Sequence, residues 1–229
     1  MVYMKSVAAA IFVKTPGISS VKTRLAAGIG KEAAEAFHLL SATIVEEVVR
    51  NTQLFYPNLK PYWCVAEVEG LTYQAWQSFD RLLQVRGGLG ERMADVYNKL
   101  LEKNDAVILL GADCPGISAA ILSDVLNTLS SDRSDNFIAG PAADGGFYLF
   151  AGKKTISQDL WCSVPYSDGQ TLRNLTRALL PLGSVNFLPE LGDVDSVEDL
   201  KSFLEKYKNK KDLLDSQKAL VRWAESAVP

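Results

Sequence analysis

Apolar positions along the chain fall into two alternating kinds of run. Val7 to Val13 is continuously apolar over the length a buried strand needs, and it runs into a Pro-Gly turn. Lys31 to Arg50 follows, with Phe37, Leu40, Ile44 and Val48 at helical spacing and few glycines or prolines to interrupt it. The alternation then continues. "KPYWCVAEV" and "RLLQV" read as short strands flanking "GLTYQAWQSF", a small helix, and "LGERMADVYNKLLEK" is amphipathic. "DAVILLG" is the clearest strand, "SAAILSDVLNTL" a helix opening at a serine cap, "NFIAGP" another strand, and "GGFYLF" a strand or hairpin arm. Gly169 to Leu182 and Ser196 to Tyr207 read as helices around the apolar segment "SVNFLPEL". This repeated β-α-β order predicts a three-layer α/β domain on a mostly parallel sheet, with active groups at the carboxyl ends of strands. The lysine-rich "KYKNKKD" reads as a solvated break. One domain over residues 1–208 is therefore expected, followed by a helical tail, 209–229. In that tail "LLDSQKALVRWAESA" either docks on its own domain or meets a second subunit in a homodimer.

Composition narrows the function classes. The 229 residues are 48% hydrophobic and 22% charged with a net charge of −3, so nothing in the overall balance suits binding to nucleic acid or an anionic membrane. Any affinity for phosphate must come from a local group of cations. Cys64, Cys114 and Cys162 are odd in number, far apart and without a C-x-x-C pair, which points away from a disulfide framework or a zinc site and towards a reducing cytoplasm. The start, "MVYMKSVAAAIFVK", imitates a signal peptide, but its apolar run is short, ends at Lys14 and is better read as a buried strand. No apolar stretch approaches the roughly 20 residues that span a bilayer.

The segment "KTPGISSVKTRL", Lys14 to Leu25, looks like a P-loop but fails the pattern. Pro16 and Val21 stand where a Walker loop has glycines, and a proline has no N–H to offer a phosphate. What survives is a turn carrying Lys14, Lys22 and Arg24 after a strand. Asp113, in "VILLGADCPGI", follows a buried strand and either ligates a hard cation such as Mg²⁺ or braces its turn. Cys114 beside it reads as a buried small residue, because the single histidine, His38, lies on an early helix with no visible reason to meet it. In "LGDVDSVEDL", Ser196 and Asp199 have capping-box spacing, which leaves Asp193 and Asp195 free to face a site. Asp144, Gly145 and Gly146 are either a hairpin turn or an acceptor-binding loop in which the carboxylate takes hydroxyl hydrogen bonds. "GIGKEA" formally fits a dinucleotide fingerprint but lies more than ten residues past its strand, so it is set aside. Gly87, Gly88, Leu89 and Gly90 follow a strand and open a helix, either as amides for an anion or base edge or as a permissive loop.

Taken in order, "FVKTPGISSVKTRLA", "GGLGERM", "LLGADCPGI", "GPAADGGFYLF" and "LGDVDSVEDL" resemble the GT-A-like transferases often found with radical SAM and selenodomain proteins. That family lies within the nucleotide-diphosphosugar transferase superfamily. It is similar to 2-phospho-L-lactate guanylyltransferase and, more distantly, to the molybdenum cofactor guanylyltransferase. The resemblance spans roughly Val7 to Leu200. It implies a GT-A fold, with Lys14, Lys22 and Arg24 along nucleotide phosphates and Gly87 to Gly90 near the base or ribose. It also implies Asp113 on Mg²⁺ or Mn²⁺, Asp195 or Asp193 as the late metal ligand, and Asp144 near the acceptor. One departure is Gly88, where relatives tend to carry an acidic residue.

The expected activity is metal-dependent nucleotidyl transfer from an NTP to a small phosphorylated or hydroxyl acceptor, with Lys22, Arg24 and Asp113 as the catalytic set. A glycosyltransferase using a nucleotide sugar calls for the same side chains, and a nucleotide-binding regulatory protein without turnover is the alternative from another class.

Overall fold

The computed structural model describes residues 4–131, 136–166 and 168–228. Strand β1, Val7–Val13, is buried on both faces, as its unbroken apolar run requires. It pairs in parallel with β2, Leu59–Val65, on one side and with β4, Ala106–Gly111, on the other. Beyond β2 lies β3, Asp80–Leu83, also parallel. On the far side, β5, Phe137–Pro141, and β6, Phe147–Gly152, form a hairpin whose second arm is antiparallel to both β4 and β5, and the edge strand β7, Val185–Phe187, runs parallel to β5. The order is β3-β2-β1-β4-β6-β5-β7. From β1 the chain builds outward to β2 and β3 and returns to add β4 on the opposite side. The loops after β1 and β4 therefore part from each other, and a crevice opens at the carboxyl ends of these two strands.

The period-2 alternation of β1 sorts its side chains into two cores. Val7, Ala9, Ile11 and Val13 join the layer formed by α1, Thr23–Ile29, α2, Lys31–Gln53, and α4, Ala119–Leu129, together with α7, Val197–Tyr207, and α8, Asp215–Ala227. Ala8 and Ala10 face the opposite layer, α3, Leu89–Leu101, α5, Gln158–Ser163, and α6, Thr171–Leu179. There Tyr97, Phe150 and Trp161 pack edge to face or tilted at centroid separations of 5.1–5.9 Å. The three-layer α/β class expected from the alternation is the observed one.

Several elements differ in detail. The small helix expected over "GLTYQAWQSF" is two 3₁₀ turns, Glu69–Thr72 and Gln74–Trp76. Trp76 buries its ring 5.0 Å from that of Trp63 and donates its Nε1 hydrogen to Thr15 Oγ1 at 3.2 Å, so the segment follows single anchor residues instead of one amphipathic face. "GGFYLF" is the return arm of the hairpin, where the bare α-carbon of Gly140 leaves room for the Tyr148 ring. Two helices, α1 and α5, were not signalled by periodicity. Each spans two turns or fewer, and α1 has no side-chain cap.

The terminal helix α8 packs Leu220 and Ala224 into the first core and sets Trp223 6.0 Å from Phe37 on α2. Its buried Gln217 donates to the carbonyls of Pro115, at 3.0 Å, and Ile117, at 3.4 Å, so it holds the turn that follows β4. Among the described residues, no helix is long and apolar enough to cross a membrane. Trp161 is fully buried, and Trp161→Ala should destabilise the protein by about 3–5 kcal/mol. Urea denaturation would read this as a lower midpoint at unchanged slope; an unaltered midpoint would show that the second core does not depend on this ring.

Candidate functional site

A cavity of about 770 Å³ occupies the crevice between β1 and β4. Its floor is the turn after β4, which carries Asp113. Lys22 reaches this turn from the other side of the switch point. As the residue before α1 it adopts φ 47°, ψ 48°, and it is the one non-glycine residue with positive φ among those described. Such a backbone costs about 1–3 kcal/mol and persists where surrounding contacts hold it. Here the contacts are ionic. The Lys22 ammonium lies 2.7 Å from Asp195 Oδ1 and 3.4 Å from Asp113 Oδ2. The lysine side chain is 3% exposed, whereas those of Asp113 and Asp195 are 48% and 34% exposed. The cation is thus inside, with the two carboxylates above it at the cavity wall. Desolvation alone would lower the Lys22 pKa, but Asp113 and Asp195 override it and raise the value. In turn, withdrawal from water would raise the Asp113 carboxyl, but the Lys22 charge and the His38 hydrogen bond hold it well below the usual carboxylate range.

His38, for which the sequence offered no reason to stand beside Cys114, meets Asp113 instead. Its Nδ1 lies 3.3 Å from Asp113 Oδ1 and its Nε2 2.9 Å from the Lys14 carbonyl oxygen. A carbonyl only accepts, so Nε2 carries the hydrogen in its contact with Lys14. Ser41, one turn along α2, donates to the Ala112 carbonyl at 2.6 Å. The available sequence signal was this buried polar pair, His38 and Ser41, inside an otherwise apolar helical stripe. His38 does not serve Cys114, whose thiol is pushed up by burial first and then by Asp113 and Asp193, which leaves it a poor nucleophile.

The late acidic segment divides its labour as its spacing suggests. Ser196 Oγ accepts from the Asp199 N–H at 3.2 Å, and Asp199 Oδ2 accepts from the backbone N–H groups of Ser196, at 2.8 Å, and Asp195, at 3.1 Å. Asp199 is consumed by this cap, while the Asp195 side chain turns to Lys22. Asp193 also lines the cavity, and its carboxyl is pushed up by partial burial first and then by the nearby Asp144 charge. Asp144 Oδ1 accepts from the Gly146 N–H at 2.8 Å, so this residue forms a turn and faces the cavity at once. Gly145, at φ 86°, lies against Gly169, where a Cβ would collide with backbone, and its carbonyl accepts from the Leu172 N–H at 3.0 Å.

Lys14, Lys22 and Arg24 all line the cavity, and Arg92, Gln84, Tyr166, Asp168 and Thr171 join them without having been singled out from sequence. The glycine loop is arranged differently from the expectation of free amides. Leu89 lines the cavity, but the Gly88 N–H is already bonded to Glu91 Oε2 at 2.6 Å. A Cβ on Gly90 would come within 2.8 Å of the Trp161 carbonyl oxygen, so that glycine serves the close crossing of α3 and α5.

Two carboxylates that share one ammonium, with further oxygens nearby, are a donor set suited to a hard cation completed by water or phosphate oxygens. No group of three or more histidine, cysteine or acidic side chains is spaced to hold a metal ion among the described residues. Asp113 and Asp195 do not form an all-protein cage, and a Mg²⁺ or Mn²⁺ ion beside them would need water or phosphate oxygens to complete its shell.

The depressed Asp113 pKa fixes the sign of a pH effect. Its pairing stabilises the fold above the ordinary carboxyl value of 3.8 and is lost as pH falls from there through the lower folded value. The stability gap between wild type and Asp113→Asn should be full at neutral pH and shrink below about pH 4. Denaturant titrations across that range would check it; a gap that widens in acid would contradict the pairing.

The sequence pattern of a family described as "Uncharacterized protein conserved in bacteria (DUF2064)" matches residues 41–168. No curated protein matches the chain. Among solved structures, a candidate nucleotide-diphospho-sugar transferase from Desulfovibrio desulfuricans G20 superposes with a TM-score of 0.84 at 24% identity, covering 97% of this chain and 96% of its own. A cytidylyltransferase from Leptospira borgpetersenii gives 0.56 at 15% identity, with 98% and 94% covered. CMP:2-keto-3-deoxy-manno-octonic acid synthetase, solved with CTP, gives 0.53 at 14% identity, with 86% and 96% covered. The fold is that of the nucleotide-diphosphosugar transferases.

Proposed function

The chain belongs to the DUF2064 family, and from that premise and the geometry of the crevice we propose that it is a nucleotidyltransferase acting on an NTP and a small acceptor. The observation that carries this reading is the meeting of Lys22 with Asp113 and Asp195, side chains from three separate loops, at the wall of a cavity that also receives Lys14 and Arg24. The fold shared with a synthetase solved with CTP and with a cytidylyltransferase favours a nucleotide as donor.

In this reading Lys14 and Arg24, both exposed at the cavity, bind the β- and γ-phosphates of the donor. Lys22 holds Asp113 and Asp195 side by side. Asp113 and Asp195 would hold Mg²⁺ or Mn²⁺, with Asp193 as the neighbouring carboxylate. When bound, the ion neutralises phosphate charge and polarises the phosphorus centre. Leu89 and the adjoining glycine loop border the base or ribose, and Asp144 to Gly146 border the acceptor. The acceptor oxygen forms a bond to the α-phosphorus as the bond to the pyrophosphate oxygen breaks. The displaced electron pair leaves with pyrophosphate and the acceptor proton passes to solvent. Chemistry of this kind needs positioning and charge neutralisation, with no covalent protein group, and the unreactive Cys114 is consistent with that.

A glycosyltransferase using a nucleotide sugar draws on the same cations and carboxylates and is the second reading, with the fold match to a candidate nucleotide-diphospho-sugar transferase in its favour. The released product separates the two: pyrophosphate from an NTP, or a nucleoside diphosphate from a sugar donor. A thermal-shift screen of NTPs and nucleotide sugars, with and without Mg²⁺, should reveal a donor that raises the melting temperature only when the ion is present. No shift with any nucleotide would sink both readings. With the donor in hand, Asp113→Ala and Arg24→Ala should each lower kcat by on the order of 10²-fold or more while the fold is retained. A fully active Asp113→Ala enzyme would refute the metal assignment.

A further inference from the structure

The sheet order sorts the charges of the cavity into two halves. Lys14 and Lys22 come from the segment between β1 and α1 and Arg24 from the first turn of α1, all on the β1 side of the switch point, while Arg92 comes from α3, whose first turn packs against Trp161 and Tyr166. The other half is built by the β5–β6 turn, the α5–α6 loop and the segment after β7, which are tied to one another. Leu172 N–H donates to the Gly145 carbonyl at 3.0 Å, Ala143 N–H to the Leu191 carbonyl at 3.2 Å, and Leu191 N–H to the Pro141 carbonyl at 3.1 Å. This half offers the cavity Asp144, Phe147, Tyr166, Asp168, Thr171 and Asp193, together with Asp195, which Lys22 pairs across the boundary, and it contributes no lysine, arginine or histidine of its own among the described residues.

Its hydrogen-bonding capacity is as one-sided as its charge. The Tyr166 hydroxyl donates to the Trp161 carbonyl at 2.9 Å. The Thr171 hydroxyl donates to the carbonyls of Pro165, at 3.1 Å, and Asp168, at 3.0 Å. With those hydrogens committed, the described side chains on this side have lone pairs and aromatic faces left to offer. Asp168 gives one oxygen to the Gln170 N–H and Asp144 one to the Gly146 N–H, and each keeps the second carboxylate oxygen. The described side chains of this half therefore suit a ligand that donates hydrogen bonds. A phosphate or carboxylate has none to give and would meet three like charges, an arrangement that rejects a partner more effectively than a poor fit does.

Resting on the transferase reading above, we propose that the acceptor is a hydroxyl-bearing molecule with no phosphate or carboxylate of its own, a neutral polyol or an amino alcohol. One hydroxyl oxygen bonds to the α-phosphorus as pyrophosphate departs with the electron pair, and the hydroxyl proton goes to solvent. The remaining hydroxyl or ammonium hydrogens bind Asp144, Asp168 and Asp193, and the carbon skeleton lies against Phe147 and Tyr166.

The test uses the ¹⁵N-labelled full chain with Mg²⁺ and inorganic tripolyphosphate, which occupies the cationic half without supplying a base. Matched pairs are then titrated: glycerol and glycerol 3-phosphate, ethanolamine and phosphoethanolamine, glucose and glucose 6-phosphate. Tripolyphosphate should shift the amides of Ser20 to Arg24. At least one unphosphorylated member should then shift those of Asp144, Gly146, Asp168 and Thr171 with an apparent affinity about tenfold or more tighter than its phosphate ester. Asp144→Asn combined with Asp168→Asn should narrow that ratio. A phosphate ester that binds as tightly as its partner, or a panel that moves none of these amides, overturns the acceptor class while leaving the donor reading standing. Tripolyphosphate that leaves Ser20 to Arg24 unmoved sinks the transferase reading and this inference with it.

Discussion

A buried ammonium between two half-exposed carboxylates is the constraint on which the crevice depends. Lys22 joins a loop near the amino end to one from the middle of the chain and one near the carboxyl end, and its 2.7 Å contact with Asp195 spans 173 positions of sequence. Removing either carboxylate would leave the buried ammonium with one partner in place of two, which is costlier than losing an exposed pair. The strained backbone at Lys22 persists because this ion pair needs that side chain at that place. The ammonium also relieves repulsion between Asp113 and Asp195, so the two can stand together before any ligand arrives.

Around this centre the protein builds supports from neighbouring elements. His38 joins the Lys14 carbonyl to Asp113, Ser41 holds Ala112, and Gln217 of the terminal helix secures Pro115 and Ile117. Asp199 spends itself on capping α7, which leaves Asp195 free. Each support is a local hydrogen bond. Those from α2 and α8 fix the β4 turn from two directions.

The topology has a second consequence. Because β2 and β3 lie on one side of β1, and β6, β5 and β7 beyond β4 on the other, segments meeting over the crevice arrive from opposite ends of the sheet. Lys14, Lys22 and Arg24 arrive from one side and Asp144, Asp168 and Asp193 from the other, and the two sets meet where Lys22 pairs with Asp113 and Asp195. The cavity is therefore polarised along its length, a property that no single motif carries.

The sequence by itself determined the layers and most of the elements, since hydrophobic period is a local quantity: β1, α2, β4 and the serine-capped α4 and α7 stand where their patterns place them. It also marked Lys22, Asp113 and Asp195 as chemical candidates. Only the tertiary structure decided that these three touch and that Lys22 is the inner member. The same is true of His38, whose polar side chain in an apolar stripe has meaning only once Asp113 lies beside it, and of Asp168 and Tyr166, which reach the cavity because two loops pack on each other. Helical and strand periods are written into neighbouring residues, whereas a site is assembled from residues far apart in the chain. Their meeting is fixed by strand order and by which charges can find partners away from water.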